Sequence, residues 1–150
     1  MRPWKESEDL LFRGDSVEIP DPPKPNADDS LVRHILQVDG PGQQTPFLST
    51  TESEVTARYF ALPKGFVLST TVPVLREAEL GYIGKKELLQ LLVSRGKGDA
   101  KWHSAAEVKR AAQLVEQHAE HLADARSYQG KDDQQLQEAM RQSFSVRRPL

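Results

Sequence analysis

The chain contains no cysteine among its 150 residues. Disulfide scaffolds, thiol nucleophiles and thiolate metal sites are therefore excluded. Long apolar runs are also missing: stretches such as ELLQLLV fall far short of the roughly 20 residues that a membrane-spanning helix needs, and the polar start MRPWKESEDLLFRGDS has no signal-peptide core. The net charge of −2 gives no general attraction to nucleic acid or to anionic membranes.

The composition is that of a folded domain. Hydrophobic residues make up 37% of the chain and charged residues 28%, and a chain of this length removes roughly two-thirds of its unfolded surface from water when it folds. No internal repeat, low-complexity segment or linker divides the sequence. We therefore expect one domain spanning residues 1–150.

The segment DLLFRGDSV predicts a strand that is stopped by a turn at Arg13 to Asp15. Four prolines within six residues then predict an extended surface loop, because proline cannot continue a helix or a sheet ladder. Ser30 is placed to cap a helix over the apolar residues of SLVRHIL, with residues 40–42 (Gly-Pro-Gly) as its stop.

The segment TPFLS predicts a second strand that leads into a helix over about residues 52–61. Thr51 and Glu54 have the spacing of a capping box. Pro63 closes the helix. The apolar residues that we expect this helix to bury are Val55, Tyr59 and Phe60.

The alternation in GFVLSTTVPVL predicts a third strand, whereas the leucines of KKELLQLLVSRG fit either a buried strand or a short helix. A second capping box, Ser104 with Glu107, starts a long helix whose apolar positions continue to Ala125. DDQQLQEAM indicates a further short helix, and SFSV indicates a final strand.

Histidine spacing gives little support for a metal site. His118 and His121 are three residues apart on the predicted long helix, whereas the helical zinc motif has its histidines four apart with a glutamate after the first. His34 is placed to reach a cleft from the first helix, although an ordinary helix histidine explains it as well. The chain also lacks a Gly-x-Ser-x-Gly elbow, and GPGQQTPFLST lacks the lysine and the spacing of phosphate-binding loops. We expect no metal ligands.

A resemblance to the ADP-ribosyltransferase superfamily is carried by LFRGD and by PFLSTTESEVTARYFA. The order of an arginine ending a first strand and a serine-threonine-serine-like strand entering a helix is similar to the arginine, serine-threonine-serine, glutamate branch, which includes many bacterial toxins and effectors. The resemblance covers about residues 10–95. It implies an α+β fold of two packed, mainly antiparallel small sheets flanked by helices, with this core followed by a helical C-terminal extension over about residues 104–142.

The resemblance also implies the roles of individual residues. Arg13 would contact the phosphates and ribose of NAD as a bidentate donor, and Ser49 would hold a catalytic glutamate. The nicotinamide ring would be supported by Phe47 or by an aromatic residue of the following helix. The implied NAD-binding set is Arg13, Gly14, Phe47, Ser49, Thr50 and Tyr59, with Phe60 as an alternative to Tyr59.

The catalytic carboxylate is expected at Glu87, which stands 38 residues after Ser49 (87 − 49) in KKELLQLL. This segment occupies the place of the glutamate-bearing strand in the resemblance. Gln90 and Glu79 are the alternatives, the latter because residues 77–79 read Glu-Ala-Glu. In the family, the position two before the glutamate is commonly Glu or Gln and helps to select the acceptor. Here it is Lys85.

These expectations favour a mono-ADP-ribosyltransferase toxin or effector domain that transfers ADP-ribose from NAD to a protein or RNA acceptor. An NAD glycohydrolase on the same fold is one alternative, and a non-catalytic binding, immunity or adaptor module is another. The absence of a signal peptide suggests delivery into a target-cell cytoplasm by a specialised secretion system, or otherwise a cytoplasmic protein. A cognate immunity protein is a possible partner, and we expect no membrane association.

Overall fold

The computed structural model describes residues 3–27, 30–36, 45–93, 104–128 and 132–149. They form an α+β fold with a mainly antiparallel arrangement of strands, as the sequence predicts. The strands are β1 (Leu11–Asp15), β2 (Phe47–Thr51), β3 (Phe66–Thr70), β4 (Gly81–Ile83), β5 (Glu120–Asp124) and β6 (Ser145–Pro149). The helices are α1 (Leu31–Leu36), α2 (Glu54–Ala61), α3 (Val72–Glu77), α4 (Lys85–Leu92), α5 (Ala105–His118) and α6 (Asp133–Ser143).

The strands belong to one sheet of order β4-β5-β2-β1-β3-β6, which corrects the expectation of two separate sheets. The join between β1 and β2 is narrow, because their register contains the single pair Phe12 and Thr51. The β1–β3 and β2–β5 ladders each contain five pairs. At the narrow join, the Arg13 side chain bonds to the backbone of Ser49, with 3.0 Å between Nη1 and the carbonyl oxygen. The sheet therefore has two halves that are held together partly by a side chain.

The last third of the chain completes the sheet, so the interpretation of residues 104–142 as an extension outside the core is wrong. The predicted capping box at Ser104 is present, but α5 ends at His118 because Ala119 adopts a left-handed backbone with φ 45°. The predicted continuation to Ala125 is instead strand β5, paired with both β2 and β4. Pairing on both edges outweighs the helix propensity of Glu-His-Leu-Ala.

Helix α2 buries the opposite face from the one predicted. Val55, Tyr59 and Phe60 are 73%, 72% and 52% exposed, whereas Ala57 and Ala61 are buried. The cause is the close approach of α2 to β1: a Cβ added at Gly14 would lie 2.0 Å from the carbonyl oxygen of Ala57. Only small residues fit this contact.

The N-cap of α2 lies two residues after the predicted one (53 − 51). Ser53, not Thr51, is the N-cap of α2, and its hydroxyl accepts a hydrogen bond from the Thr56 N–H. Thr51 is the last residue of β2 and donates its hydroxyl to the carbonyl of His118. The helix ends at Ala61, before Pro63.

Several other segments differ in extent or type from the predictions. Strand β3 ends at Thr70, because Thr71 caps α3 and Pro73 lies in its first turn, where proline is tolerated. The KKELLQLL segment is helix α4, which buries Leu88 and Leu92 four residues apart. The predicted first helix, α6 and β6 are present, and the predicted Gly-Pro-Gly stop at residues 40–42 lies outside the described residues.

Two large buried clusters, and a small one of Ala57, Ala61 and Val67, fill the part of the fold that the structure describes. One includes Leu48, Leu68, Leu75 and the apolar residues of α6. The other packs α1, α4 and α5 around Phe47 and Leu122. Among the helices that the structure describes, none has the length and apolarity to cross a membrane.

Candidate functional site

A cleft of about 440 Å³ opens where β1 and β2 part, a volume typical of small-molecule sites. It is bordered by α1, α2 and α5 as well as by three strands. Arg13 reaches it from β1, Ser49 from β2 and Glu120 from β5. The narrow join in the sheet is therefore what makes room for the cleft.

Glu120 and Ser49 are joined by a hydrogen bond between their side chains in this cleft. The Ser49 hydroxyl donates to Glu120, with 2.7 Å between Oγ and Oε2. Glu120 is 7% exposed, and burial raises the pKa of its carboxyl from 4.5 to about 7, against the opposing effects of the Ser49 hydrogen bond and of Arg13. Within the described part of the chain, Oε1 of Glu120 has no hydrogen-bond partner. A carboxylate with one oxygen held and the other available can bind a ligand hydroxyl.

Arg13 is fixed by two contacts and keeps donor capacity. Its Nε donates to Asp15 at 2.8 Å and its Nη1 donates to the Ser49 carbonyl at 3.0 Å. Its Nη2 has no hydrogen-bond partner among the described residues. A guanidinium that is positioned by a carboxylate and a carbonyl presents its remaining N–H groups in a defined direction, which suits a phosphate group.

His34 of α1 lies on the other side of Ser49. Its Nε2 is 2.8 Å from the Ser49 Oγ, and its Nδ1 is 2.8 Å from the Thr45 Oγ1. Burial, with a smaller effect from the Arg13 charge, lowers the pKa of His34 to about 4. The imidazole is therefore neutral at pH 7, and it lies edge-on to Phe47.

Thr50 and Thr51 stabilise the walls of the cleft. The Thr50 hydroxyl donates to the carbonyl of His121 at 2.9 Å, and the Thr51 hydroxyl donates to the carbonyl of His118. Both threonines line the cleft, and their side-chain bonds tie β2 to β5 and to the end of α5. The hydroxyls of both threonines are therefore engaged in contacts that hold the cleft walls in place.

Of the glycine and aromatic residues predicted to bind NAD, some line the cleft and others do not. Gly14 lines the cleft beneath α2. Phe47 is buried in the core beside His34 and is not among the cleft-lining residues, and Tyr59 is 72% exposed on α2 and is not among them either. Phe60 does line the cleft, edge-on to His118 at 5.1 Å between ring centroids.

Glu87 lies away from this cleft, on a helix instead of the expected strand. It lines a second cavity of about 480 Å³ together with Gln90 and His121. Glu79 is exposed in the turn after α3, with φ 66°. The structure thus brings Arg13 and Ser49 together with Glu120, and it does not bring Glu87, Gln90 or Glu79 to them.

The second cavity is separated from the cleft because successive strand residues point to opposite faces. His121, next to Glu120, has its Nε2 2.7 Å from Glu52 and its Nδ1 2.7 Å from the Tyr82 hydroxyl. The backbone N–H of Lys85 also donates to Nδ1, so this nitrogen is an acceptor and the ring is neutral. Burial correspondingly lowers the pKa of His121.

Glu120 was missed because nothing local marks it as a strand residue. The segment from Ala119 to Asp124 is rich in helix-forming residues and continues the spacing of α5. No motif in the sequence marks Glu120, because the residue two positions before it is His118, whereas the predicted pattern has Glu or Gln there. Comparison with protein-family models, with curated proteins and with solved structures gave no significant match.

Proposed function

We propose that this chain is an NAD-dependent mono-ADP-ribosyltransferase in which Glu120, not Glu87, supplies the catalytic carboxylate. The observation that carries the proposal is the meeting of a guanidinium, an alcohol and a buried carboxylate in one cleft, with 2.7 Å between Ser49 and Glu120. This is the set of groups implied by the sequence resemblance, reached with a different acid.

The three groups suit the parts of NAD. The remaining N–H groups of Arg13 match the pyrophosphate, which takes a forked donor better than an ammonium. The second oxygen of Glu120 matches a hydroxyl of the nicotinamide ribose. The Phe60 ring, at the cleft wall, offers an apolar surface to the nicotinamide.

The chemistry explains why a carboxylate belongs in the cleft. When the bond from ribose C1′ to the nicotinamide nitrogen breaks, its electron pair leaves with nicotinamide and positive charge develops on the ribose. A fixed carboxylate stabilises that charge more in the transition state than in the ground state, which is the condition for catalysis. The nucleophile of the acceptor then bonds to C1′ and loses its proton.

With Glu120 as the proposed catalytic acid, the residue two positions before it, which would help to select the acceptor, is His118 instead of Lys85. Its ring lines the cleft next to Phe60. Burial, followed by the charge of Arg110, lowers the pKa of His118, so the ring is neutral near pH 7. A neutral imidazole accepts a proton or donates one, and it does not repel a cationic acceptor as Lys85 would.

The test compares Glu120→Gln with Glu87→Gln, using nicotinamide release from NAD with and without added cell lysate. Removal of the proposed charge stabilisation lowers turnover by about 10²–10³-fold in Glu120→Gln. Glu87→Gln, which alters an exposed carboxylate, keeps wild-type turnover and is the matched control. Equal activity of the wild type and Glu120→Gln would reject the assignment.

The lysate arm identifies the class of reaction. Transfer predicts that nicotinamide release rises when lysate is added and that label from the adenylate of NAD appears in macromolecules. Release that is unchanged by lysate, without labelling, identifies an NAD glycohydrolase instead. No release and no NAD binding by the wild type would leave a non-catalytic binding module as the function.

A further inference from the structure

A chain of hydrogen bonds runs from Glu120 through Ser49 and His34 to Thr45. Its three links measure 2.7, 2.8 and 2.8 Å between heavy atoms. The far end is anchored to the backbone: the Phe47 N–H donates to the Thr45 oxygen, and the Phe47 carbonyl is 3.1 Å from it. Thr45 and Glu120 are both buried. The chain therefore connects the reactive carboxyl to a fixed point in the backbone.

The number of hydrogens in this hydrogen-bond chain limits the directions in which its members can donate. Ser49 and Thr45 each have one hydroxyl hydrogen, and a neutral imidazole has one N–H. With Glu120 ionised, Thr45 donates to Nδ1, Nε2–H donates to Ser49 and Ser49 donates to the carboxylate. With Glu120 protonated, the carboxyl donates to Ser49, Ser49 donates to Nε2, Nδ1–H donates to Thr45 and Thr45 donates to the Phe47 carbonyl.

Both arrangements satisfy every group in the chain, and mixed arrangements do not. Reversing a single link leaves two hydrogens facing each other or two lone pairs facing each other, which is costly for buried groups. The direction of the whole hydrogen-bond chain is thus set by whether Oε2 of Glu120 carries a proton, because a proton on Oε1, which has no partner among the described residues, leaves Ser49 donating to Oε2.

We propose that the proton of Glu120 lies on Oε2 and that His34 is a positioning residue, which reverses its neutral tautomer when Oε2 ionises and thereby holds the Ser49 hydroxyl toward the carboxylate in the reactive form. The protonated arrangement holds four hydrogens and the ionised arrangement three, so one proton passes from the hydrogen-bond chain to bulk water when Glu120 ionises. The catalytic consequence rests on the proposed function. The tautomer reversal itself does not.

The other charged and titratable groups around Glu120 permit this behaviour. Arg13 of β1 carries the positive charge that favours ionised Glu120, and its partner Asp15 fixes it at the join. His118 of α5 faces the cleft with a lowered pKa and is neutral near pH 7. His34 itself stays neutral above about pH 5, because burial and Arg13 oppose its protonation.

The direct test is heteronuclear NMR of the imidazole nitrogens in the ¹⁵N-labelled full chain between pH 5 and 9. We expect a neutral His34 throughout, with its proton on Nδ1 at low pH and on Nε2 at high pH, and a midpoint close to the Glu120 pKa of about 7. In Ser49→Ala, which interrupts the chain, the tautomer no longer follows pH. One tautomer throughout in the wild type, or an imidazolium with a midpoint near 6.5, overturns the proposal.

A kinetic test uses two variants that each preserve one end of the imidazole. The amide nitrogen of His34→Gln takes the place of Nε2 and still donates to Ser49, whereas His34→Asn keeps only the contact with Thr45. Above pH 8, His34→Gln retains kcat, and His34→Asn loses about 10-fold in kcat, the effect of one hydrogen bond, with little change in KM for NAD. Equal kcat for the two variants contradicts the positioning role.

The two tests separate this inference from the proposed function. If the tautomer reverses but the wild type does not cleave NAD, the hydrogen-bond chain stands and the enzymatic proposal falls. If the wild type cleaves NAD and the tautomer does not reverse, the enzyme stands and the role of His34 falls.

Discussion

Replacing Glu120 by glutamine will make the protein more stable at alkaline pH while removing its proposed activity. The carboxyl is buried, and its pKa is raised from 4.5 to about 7. At about 1.4 kcal/mol per pH unit, this rise corresponds to about 3 kcal/mol that the folded state loses when the group ionises. Glutamine has nearly the same shape and no charge, so the variant does not carry this cost.

The sign follows from proton binding by the two states. Between pH 4.5 and about pH 7, the folded chain keeps the Glu120 proton and the unfolded chain has lost it. The unfolded state thus binds fewer protons, and the free energy of unfolding of the wild type falls as pH rises through this window. Above pH 7 both states are ionised, and the loss is complete. Glu120→Gln lacks this term, so its advantage over the wild type grows by about 3 kcal/mol from pH 4.5 to pH 8.

The assay is urea denaturation followed by circular dichroism at half-unit steps of pH, with wild type, Glu120→Gln and Glu87→Gln measured side by side. The pH dependence of the difference is the prediction, because a constant offset only reports the altered contact with Ser49. Glu87 is exposed, so its variant should parallel the wild type. A Glu120→Gln curve that also runs parallel to the wild type would show that Glu120 ionises with an ordinary pKa, and the buried-carboxylate reasoning would be refuted.

Two further predictions concern the contact of α2 with β1 and the wall of the cleft. Gly14→Ala places a Cβ 2.0 Å from the Ala57 carbonyl oxygen, so we expect the free energy of unfolding to fall by about 3 kcal/mol. The control is Gly81→Ala, which should lose less because its Cβ would meet its nearest atom at 3.2 Å. Equal losses for the two variants would mean that α2 moves away from β1 without cost. Phe60→Ala should raise KM for NAD by about 2–10-fold through the lost aromatic surface, whereas Tyr59→Ala, which removes an exposed ring outside the cleft, should leave KM unchanged. The reverse order would assign the nicotinamide to the outer face of α2.

The first three strands could be predicted because their signals are local. Arg13 lies in a short apolar run, and the strand containing Ser49 is bounded by proline on one side and a helix cap on the other. The predicted turn at Arg13 to Asp15 is wrong, because β1 stays paired with β3 to Asp15, and both Arg13 and Ser49 are central residues of their strands. The meeting of the two strands is not local, and it became visible only in the bond between Arg13 and the Ser49 carbonyl.

The errors arise where tertiary contacts decide between two local possibilities. The leucines around Glu87 fit strand or helix, and the burial of Leu88 and Leu92 by α5 settles them as a helix. The residues around Glu120 have the sequence pattern of a helix, but they form a strand because they hydrogen-bond to β2 on one side and to β4 on the other. We expected the catalytic acid on a strand and chose Glu87 because its segment could form one. Such a choice fails when tertiary contacts turn that segment into a helix.

The same feature that creates the cleft also explains the environment of its acid. A fully paired β1–β2 ladder would close the space above Ser49, and a wide gap would admit water to Glu120. A single pair at Phe12 and Thr51, bridged by the Arg13 side chain, leaves a cleft that is open to a ligand while its carboxylate remains buried. Burial keeps the proton on Glu120 up to neutral pH, and Arg13 together with the Ser49 hydroxyl limits the rise. The cleft therefore depends on the incomplete pairing of β1 with β2, whereas the complete β2–β5 ladder holds Ser49 and Glu120 in contact.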